Sequence, residues 1–265
     1  MVRTIWLSFY NTSFGSRTPA EFVGLRNYTT ILNNPAFISS AGVTLVWVLS
    51  NLVVQLFVPV GIALILKRNL RGINAARALA LLPWIVPTVP IAVVLRLVML
   101  PRIGIVSEVF NFLGFGSKNF LGQPISAMIV LVVTNSWQFL PFGTLMILSA
   151  LQTIPDSLYE AAEVDGCSGW NQFKYITFPQ IGQMIWFVGF LAFAWNFNTF
   201  ELIQLTTQGG PGRATETLPL MIYRSAFRTF RLGEAAAMAT LAGIVMILFG
   251  IVYFKKMSPK EEIGN

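Results

Sequence analysis

Residues 41–66 read AGVTLVWVLSNLVVQLFVPVGIALIL, with no Asp, Glu, Lys or Arg anywhere in the run. A bilayer-crossing helix needs roughly 20 predominantly apolar residues, so this stretch is long enough to span on its own. Four further uncharged stretches follow, at 78–95, 125–151, 181–200 and 235–254. In lipid every backbone N–H and C=O must be satisfied internally, which leaves helices or closed barrels. Barrel strands alternate apolar and polar positions, whereas these runs are continuously apolar. The sequence therefore predicts an all-α, polytopic membrane protein with one transmembrane domain over 1–265. Its five spans are placed at 41–66, 78–100, 125–151, 181–200 and 235–254.

The composition agrees with that reading. Of 265 residues 55% are hydrophobic and 11% charged, against about 25% charged in an ordinary soluble domain. There is no histidine, so the commonest general base and metal ligand is missing. Cys167 is the only cysteine, which excludes an intrachain disulfide and a cysteine-based metal cluster. The net charge of +7 comes from basic residues scattered among loops. That pattern suits anionic membrane lipid rather than nucleic acid.

The first ten residues, MVRTIWLSFY, are apolar and aromatic but too short to span, and they lack the parts of a signal peptide. They read as the interfacial end of a span whose body is missing, with Trp6 and Tyr10 at headgroup level. A short amphipathic segment lying on the membrane is the other reading. Lys67, Arg68, Arg71 and Arg77 make the densest basic cluster and place the 67–77 link on the cytoplasmic side. Alternation then puts 152–180 and the Lys255-Lys256 tail inside and 101–124 and 201–234 outside. The summed loop charges are almost even, because 201–234 holds Arg213, Arg224, Arg228 and Arg231. Pro83, Pro87 and Pro90 predict a kinked or irregular second span. Arg96 lies close to Pro101, where its side chain reaches the interface; a substrate contact is the alternative. Gly209-Gly210-Pro211-Gly212 is a turn cluster, either part of an outward binding surface or a flexible loop.

The 152–180 connector is polar in an otherwise lipid-soluble chain. Pro155 suits the first turn of a helix and Asp156 its positive dipole end. Gly166 can take the left-handed conformation that stops a helix. Between them Leu158, Ala161, Ala162 and Asp165 share one face at i, i+3, i+4, i+7 spacing, with Glu160 at its edge. Ser168 caps a second short helix carrying Trp170 and Phe173 that ends before Pro179. The residues alone leave two readings open: a docking surface for a partner in the adjoining water, or an ordinary connector packed on its own bundle.

Glu160-Ala161-Ala162, three residues, Gly166, nine residues, Ile176, then Phe178-Pro179 resembles the Glu-Ala-Ala loop of permease subunits of binding-protein-dependent ABC importers. Phe178 stands where leucine is usual. FVGLRNY at 22–28, LQTIP at 151–155, QGGP at 208–211 and ATETLP at 214–219 are similar to the maltose-type, carbohydrate-uptake branch. The resemblance covers nearly the whole chain. It implies the importer permease fold with a parent of six spans, the first of which is absent here. It also implies that 158–166 is a cytoplasmic coupling helix seated in a cleft of an ATPase subunit, through Leu158, Glu160, Ala161, Ala162, Asp165 and Gly166. No Gly-x4-Gly-Lys-Ser/Thr phosphate loop occurs, so ATP and Mg would be bound by a separate ATPase dimer and this chain would hold no cofactor. The other implied partners are a second permease, usually a non-identical one among relatives, and a periplasmic or extracellular binding protein. The implied setting is the bacterial or archaeal inner membrane.

Within the spans, Trp137, Gln138, Phe139 and Phe142, and then Trp195, Asn196 and Thr199, bring together aromatic faces and amide or hydroxyl groups. Such groups fit sugar rings and their hydroxyls. The resemblance aligns these seven with sugar-contacting positions, although Gln138 and Trp195 depart from the usual types. An isolated Asn135 reads as an interhelical hydrogen bond. The expected function is thus the permease subunit of an ATP-driven importer of a sugar, oligosaccharide or glycoside, with glycerol phosphate or another polyol as the alternative cargo. An ion-coupled carrier usually needs an ionisable residue in the membrane to carry the coupling proton or sodium, and the five spans lack carboxylates and histidine. An intramembrane enzyme would need a Ser/His, Asp/Asp or metal set, and the spans offer none.

Overall fold

The computed structural model describes residues 1–12, 20–68, 72–116 and 118–257; Arg71 of the predicted basic cluster lies outside them. The chain begins with α1 (Val2–Leu7) and a two-residue antiparallel strand pair, β1 (Tyr10–Asn11) and β2 (Glu21–Phe22), in register Tyr10↔Phe22. Everything regular after that is helical. The helices are α2 (Arg26–Leu32), α3 (Pro35–Lys67), α4 (Ile73–Ala80), α5 (Leu82–Ile85), α6 (Thr88–Val98), α7 (Ile105–Phe112), α8 (Pro124–Gln152), α9 (Asp156–Val164) and α10 (Gly169–Gln172). They continue with α11 (Phe178–Asn198), α12 (Glu201–Thr206), α13 (Leu218–Phe227) and α14 (Leu232–Met257).

Four helical stretches are long and apolar enough to cross a membrane, Pro35–Lys67, Pro124–Gln152, Gly169–Asn198 and Leu232–Lys255, and a fifth crossing exists if the broken pair around Pro87 counts as one. These stretches overlap the five predicted spans. The second is broken rather than kinked. Val86 is extended, with φ −76° and ψ 124°, because a residue before proline is driven out of the helical region. The break frees backbone carbonyls, and Gln138 Nε2 on α8 donates to Val86 O at 3.2 Å. A proline inside a helix is tolerated at membrane depth when a neighbour restores the lost bond in this way.

The described residues fall into two compact units. One comprises Met1–Leu49, Thr88–Val132 and Asn196–Tyr253. Its core gathers Ile31, Phe37, Leu218, Ala237 and Met238, and Trp47, fully buried, donates from Nε1 to Asn196 O at 3.0 Å. The other comprises the described residues of Ser50–Pro87, Val133–Trp195 and the stretch from Phe254 to Met257. There Leu66, Phe139, Ile147, Leu151, Ile181 and Val188 form the core. A Cβ on Gly143 would lie 3.0 Å from the Pro59 ring, so α3 and α8 meet where glycine allows a close approach.

That second unit also buries a polar knot at membrane depth. Asn51 Oδ1 accepts from Asn135 Nδ2 at 2.7 Å, Ser136 Oγ at 3.1 Å and Gln55 Nε2 at 3.4 Å. The expectation for Asn135, a hydrogen bond between helices, holds. Bonds of this kind average about 0.6 kcal/mol in membrane proteins, so they register one helix against another more than they stabilise the bundle.

Candidate functional site

The acidic connector is built from local chemistry. Helix α9 starts after Pro155, which takes the cap position one residue ahead of the predicted first turn, and Asp156 sits in that turn. At the other end Gly166 has φ +73°. The Gly166 N–H donates to Glu163 O at 3.0 Å and the Cys167 N–H to Ala162 O at 2.8 Å. This is the paired Schellman closure, with glycine in the left-handed position. Ser168 Oγ then accepts from the Asn171 N–H at 3.4 Å and caps α10, as expected from the sequence.

The second short helix does not end before Pro179. Phe173–Thr177 forms a π turn that leads directly into α11, and the whole of Gly169–Asn198 runs as one helical stretch. Pro179 cannot supply an N–H and its ring crowds the carbonyl four residues back. A widened turn just ahead of it absorbs both defects without stopping the helix.

Helix α9 rests on its own unit through two residues. Tyr159 packs against the core and its hydroxyl lies 2.9 Å from Thr177 Oγ1. Lys67 Nζ stands 4.2 Å from the centre of the Tyr159 ring, close enough for a cation–π contact. Ala162, one turn on, is buried. Of the six residues assigned to the coupling surface, Leu158, Glu160, Ala161, Asp165 and Gly166 are exposed, and Ala162 faces inward. Val164, Trp170, Tyr175 and Phe178 are exposed apolar side chains in the same block. Ile176, a signature position, packs on the core. Tyr159 went unnoticed in the sequence because one tyrosine on an amphipathic helix carries no signal of the direction it faces.

Three of the residues expected to line a pathway, Phe139, Phe142 and Trp195, meet in the second unit. Phe139 is buried and meets Phe142 and Trp195 edge-on, at centroid distances of 5.5 and 6.2 Å. Phe142 in turn lies 5.9 Å from Trp84. Trp137 and Trp195 remain 45% and 53% exposed, so their ring faces are accessible. Gln138 spends its amide on the broken span, and Phe139 supports its neighbours from the core. In the first unit Asn196 is buried with its carbonyl bonded to Trp47, and the Thr199 N–H turns back to Asn196 O at 3.2 Å. Arg96 reaches Leu205 O at 3.5 Å, at the end of α12, where a cation meets the negative pole of a helix.

The turn cluster at 209–212 proved to be the edge of a rigid knot. Glu216 is 2% exposed and ion-paired to Arg213 and to Arg224, the latter at 2.5 Å from Nη1 to Oε1. Arg224 also donates to Gln208 O. Thr215 Oγ1 lies 2.8 Å from Thr207 Oγ1 and donates to Gly210 O at 2.8 Å. The Leu218 N–H donates to Thr44 Oγ1 at 2.8 Å. The reading as a plain flexible loop is therefore corrected: the acid at its centre is neutralised and buried, which fixes the backbone around it.

Apolar spanning helices joined by an exposed acidic helical connector define a multi-pass membrane subunit with a face turned to the adjoining water. The chain belongs to the family described as "binding-protein-dependent transport system inner membrane component", whose model matches residues 57–260. It is a transport component rather than an enzyme. It is 35% identical to the trehalose/maltose transport system permease protein MalF of Thermococcus litoralis, over 95% of this chain and 85% of that one. It is 31% identical to the sulfoquinovosyl glycerol transport system permease protein SmoG of Agrobacterium fabrum, over 98% and 85%. The fold also matches a crystal structure of a bacterial ABC transporter that imports the acidic polysaccharide alginate, with a TM-score of 0.86 at 21% identity over 98% of this chain and 89% of that one.

Proposed function

We propose that this permease forms half of a translocation pathway for an oligosaccharide or glycoside, and that α9 couples it to a separate ATPase. The observation that carries the cargo class is the aromatic content of the second unit. Trp195 and Phe142 both meet Phe139, Trp137 and Trp195 are partly exposed, and no charged side chain lies in their stretches of α8 and α11. Flat rings without charge suit the C–H faces of neutral sugars, and several relatives carry carbohydrate names. Asn196 and Thr199 are assigned separately to contacts with hydroxyl groups. Gln138 and Phe139 keep their place in the proposal as residues that hold the lining in position.

The coupling surface comprises Leu158, Glu160, Ala161, Asp165 and Gly166, with Ala162 seating the helix on its own bundle. The partners are a second, non-identical permease, an ATPase dimer that binds ATP and Mg, and a periplasmic or extracellular binding protein. Uptake of labelled oligosaccharides tests the cargo. Trp137→Ala and Trp195→Ala are each expected to lower uptake about tenfold, the equivalent of about 1.4 kcal/mol, with the protein still inserted. Unchanged kinetics and an unchanged range of substrates in both variants would place the pathway elsewhere.

A further inference from the structure

A groove of about 610 Å³ runs along α3 in the second unit and is closed on its far side by α10 and the π turn. Its α3 wall is a stripe, Phe57, Val60, Gly61 and Leu64, that ends at Arg68. From Phe57 to Arg68 is 11 residues, or about 16 Å at 1.5 Å per helical residue. One leaflet of hydrocarbon is about 15 Å deep, half of the roughly 30 Å core. The cation therefore stands about one leaflet's depth from Phe57, where a headgroup would be, and the apolar wall from Phe57 to Leu64 covers about 10 Å of an acyl chain.

The opposite wall fits the same occupant. Trp170 and Phe173 stack at 5.7 Å with an interplanar angle of 30°, and Trp170 is 70% exposed. Indole rings prefer the headgroup level of a bilayer. None of the groove's lining residues is acidic. Among the described residues the Arg68 guanidinium makes no ion pair or side-chain hydrogen bond, while the neighbouring Lys67 is engaged with the Tyr159 ring. A cation without an acid at the end of an apolar slot complements one negative charge, and basic pockets beside spanning helices take anionic headgroups.

We propose that this groove is a binding site for one anionic phospholipid, with an acyl chain against Phe57–Leu64 and its phosphate on Arg68. Tyr159 and Thr177, which anchor α9, also line the groove. The lipid would therefore brace the coupling helix against α3. This rests on the chain crossing a membrane and is independent of the cargo.

Photocrosslinking of the full chain tests it, with the subunits that copurify, in bilayers holding phosphatidylglycerol and phosphatidylcholine in equal amounts. Benzoylphenylalanine replaces Trp170 in one sample and Phe57 in another, and adducts are read by mass spectrometry. Both positions are expected to label phosphatidylglycerol severalfold over phosphatidylcholine. Arg68→Gln should remove that preference and Arg68→Lys retain it, at equal recovery of the assembled protein. Equal labelling of the two lipids, or a crosslink from position 170 to an ATPase or any other protein subunit, would overturn the proposal.

Discussion

Two polar connectors in this chain are built in opposite ways. In 207–218 the charged and hydroxyl groups turn inward: Glu216 is buried between two arginines, and Thr215 and Thr217 are each 1% exposed. In 156–166 the carboxylates of Asp156, Glu160, Glu163 and Asp165 are all exposed, while Tyr159 and Ala162 turn toward the bundle. A buried acid costs free energy unless it is paired, so the first connector spends its polar groups on its own shape. The second keeps them available. Polarity alone does not distinguish a structural loop from a docking one; the direction of the polar groups does.

Substitutions can break or sharpen that contrast. Glu216→Ala leaves the partly exposed Arg213 and Arg224 without their shared acid, and loss of hydrogen bonds to a charged group costs about 1.5–3 kcal/mol. A large fall in melting temperature, or failure to accumulate in the membrane, is the expected outcome, and a stable variant would erase the distinction between the loops. Ala162→Leu should cost about 1–3 kcal/mol by overpacking the one small residue that α9 buries, again read by thermal melting. Gly166→Ala forces a Cβ into a left-handed position at about 1–2 kcal/mol, although space is open around it. Glu160→Lys should change stability by less than about 0.5 kcal/mol, as exposed substitutions do, and yet abolish uptake. If it leaves uptake intact, the exposed face of α9 is not the coupling surface.

Much of this was legible in the sequence. The spans show as runs without charge, Pro83, Pro87 and Pro90 mark the second as irregular, and Gly166 and Ser168 mark a helix end and a helix start through chemistry that acts within a few residues. What escaped depends on distant partners. Gln138 reads as a pathway amide until Val86, 52 positions earlier, appears beside it with a freed carbonyl. Glu216 sits among Arg, Thr and Gly residues in the manner of any surface loop, and one of its two cations comes from the following helix. Ala161 and Ala162 look equivalent on a helical wheel, and only packing shows that one is covered. Pro179 is a standard stop signal, overridden here by a π turn that no local pattern announced.

That uninterrupted stretch has a mechanical side. Gly169–Asn198 is 30 residues of helix, about 45 Å at 1.5 Å per residue, with the aromatic face of α10 at one end and Trp195 near the other. The stretch has no loop in it, and the π turn at Phe173–Thr177 is a place where it can bend. With that turn held straight, a tilt of about 5° applied at one end would carry the other through about 4 Å, roughly the thickness of a sugar ring.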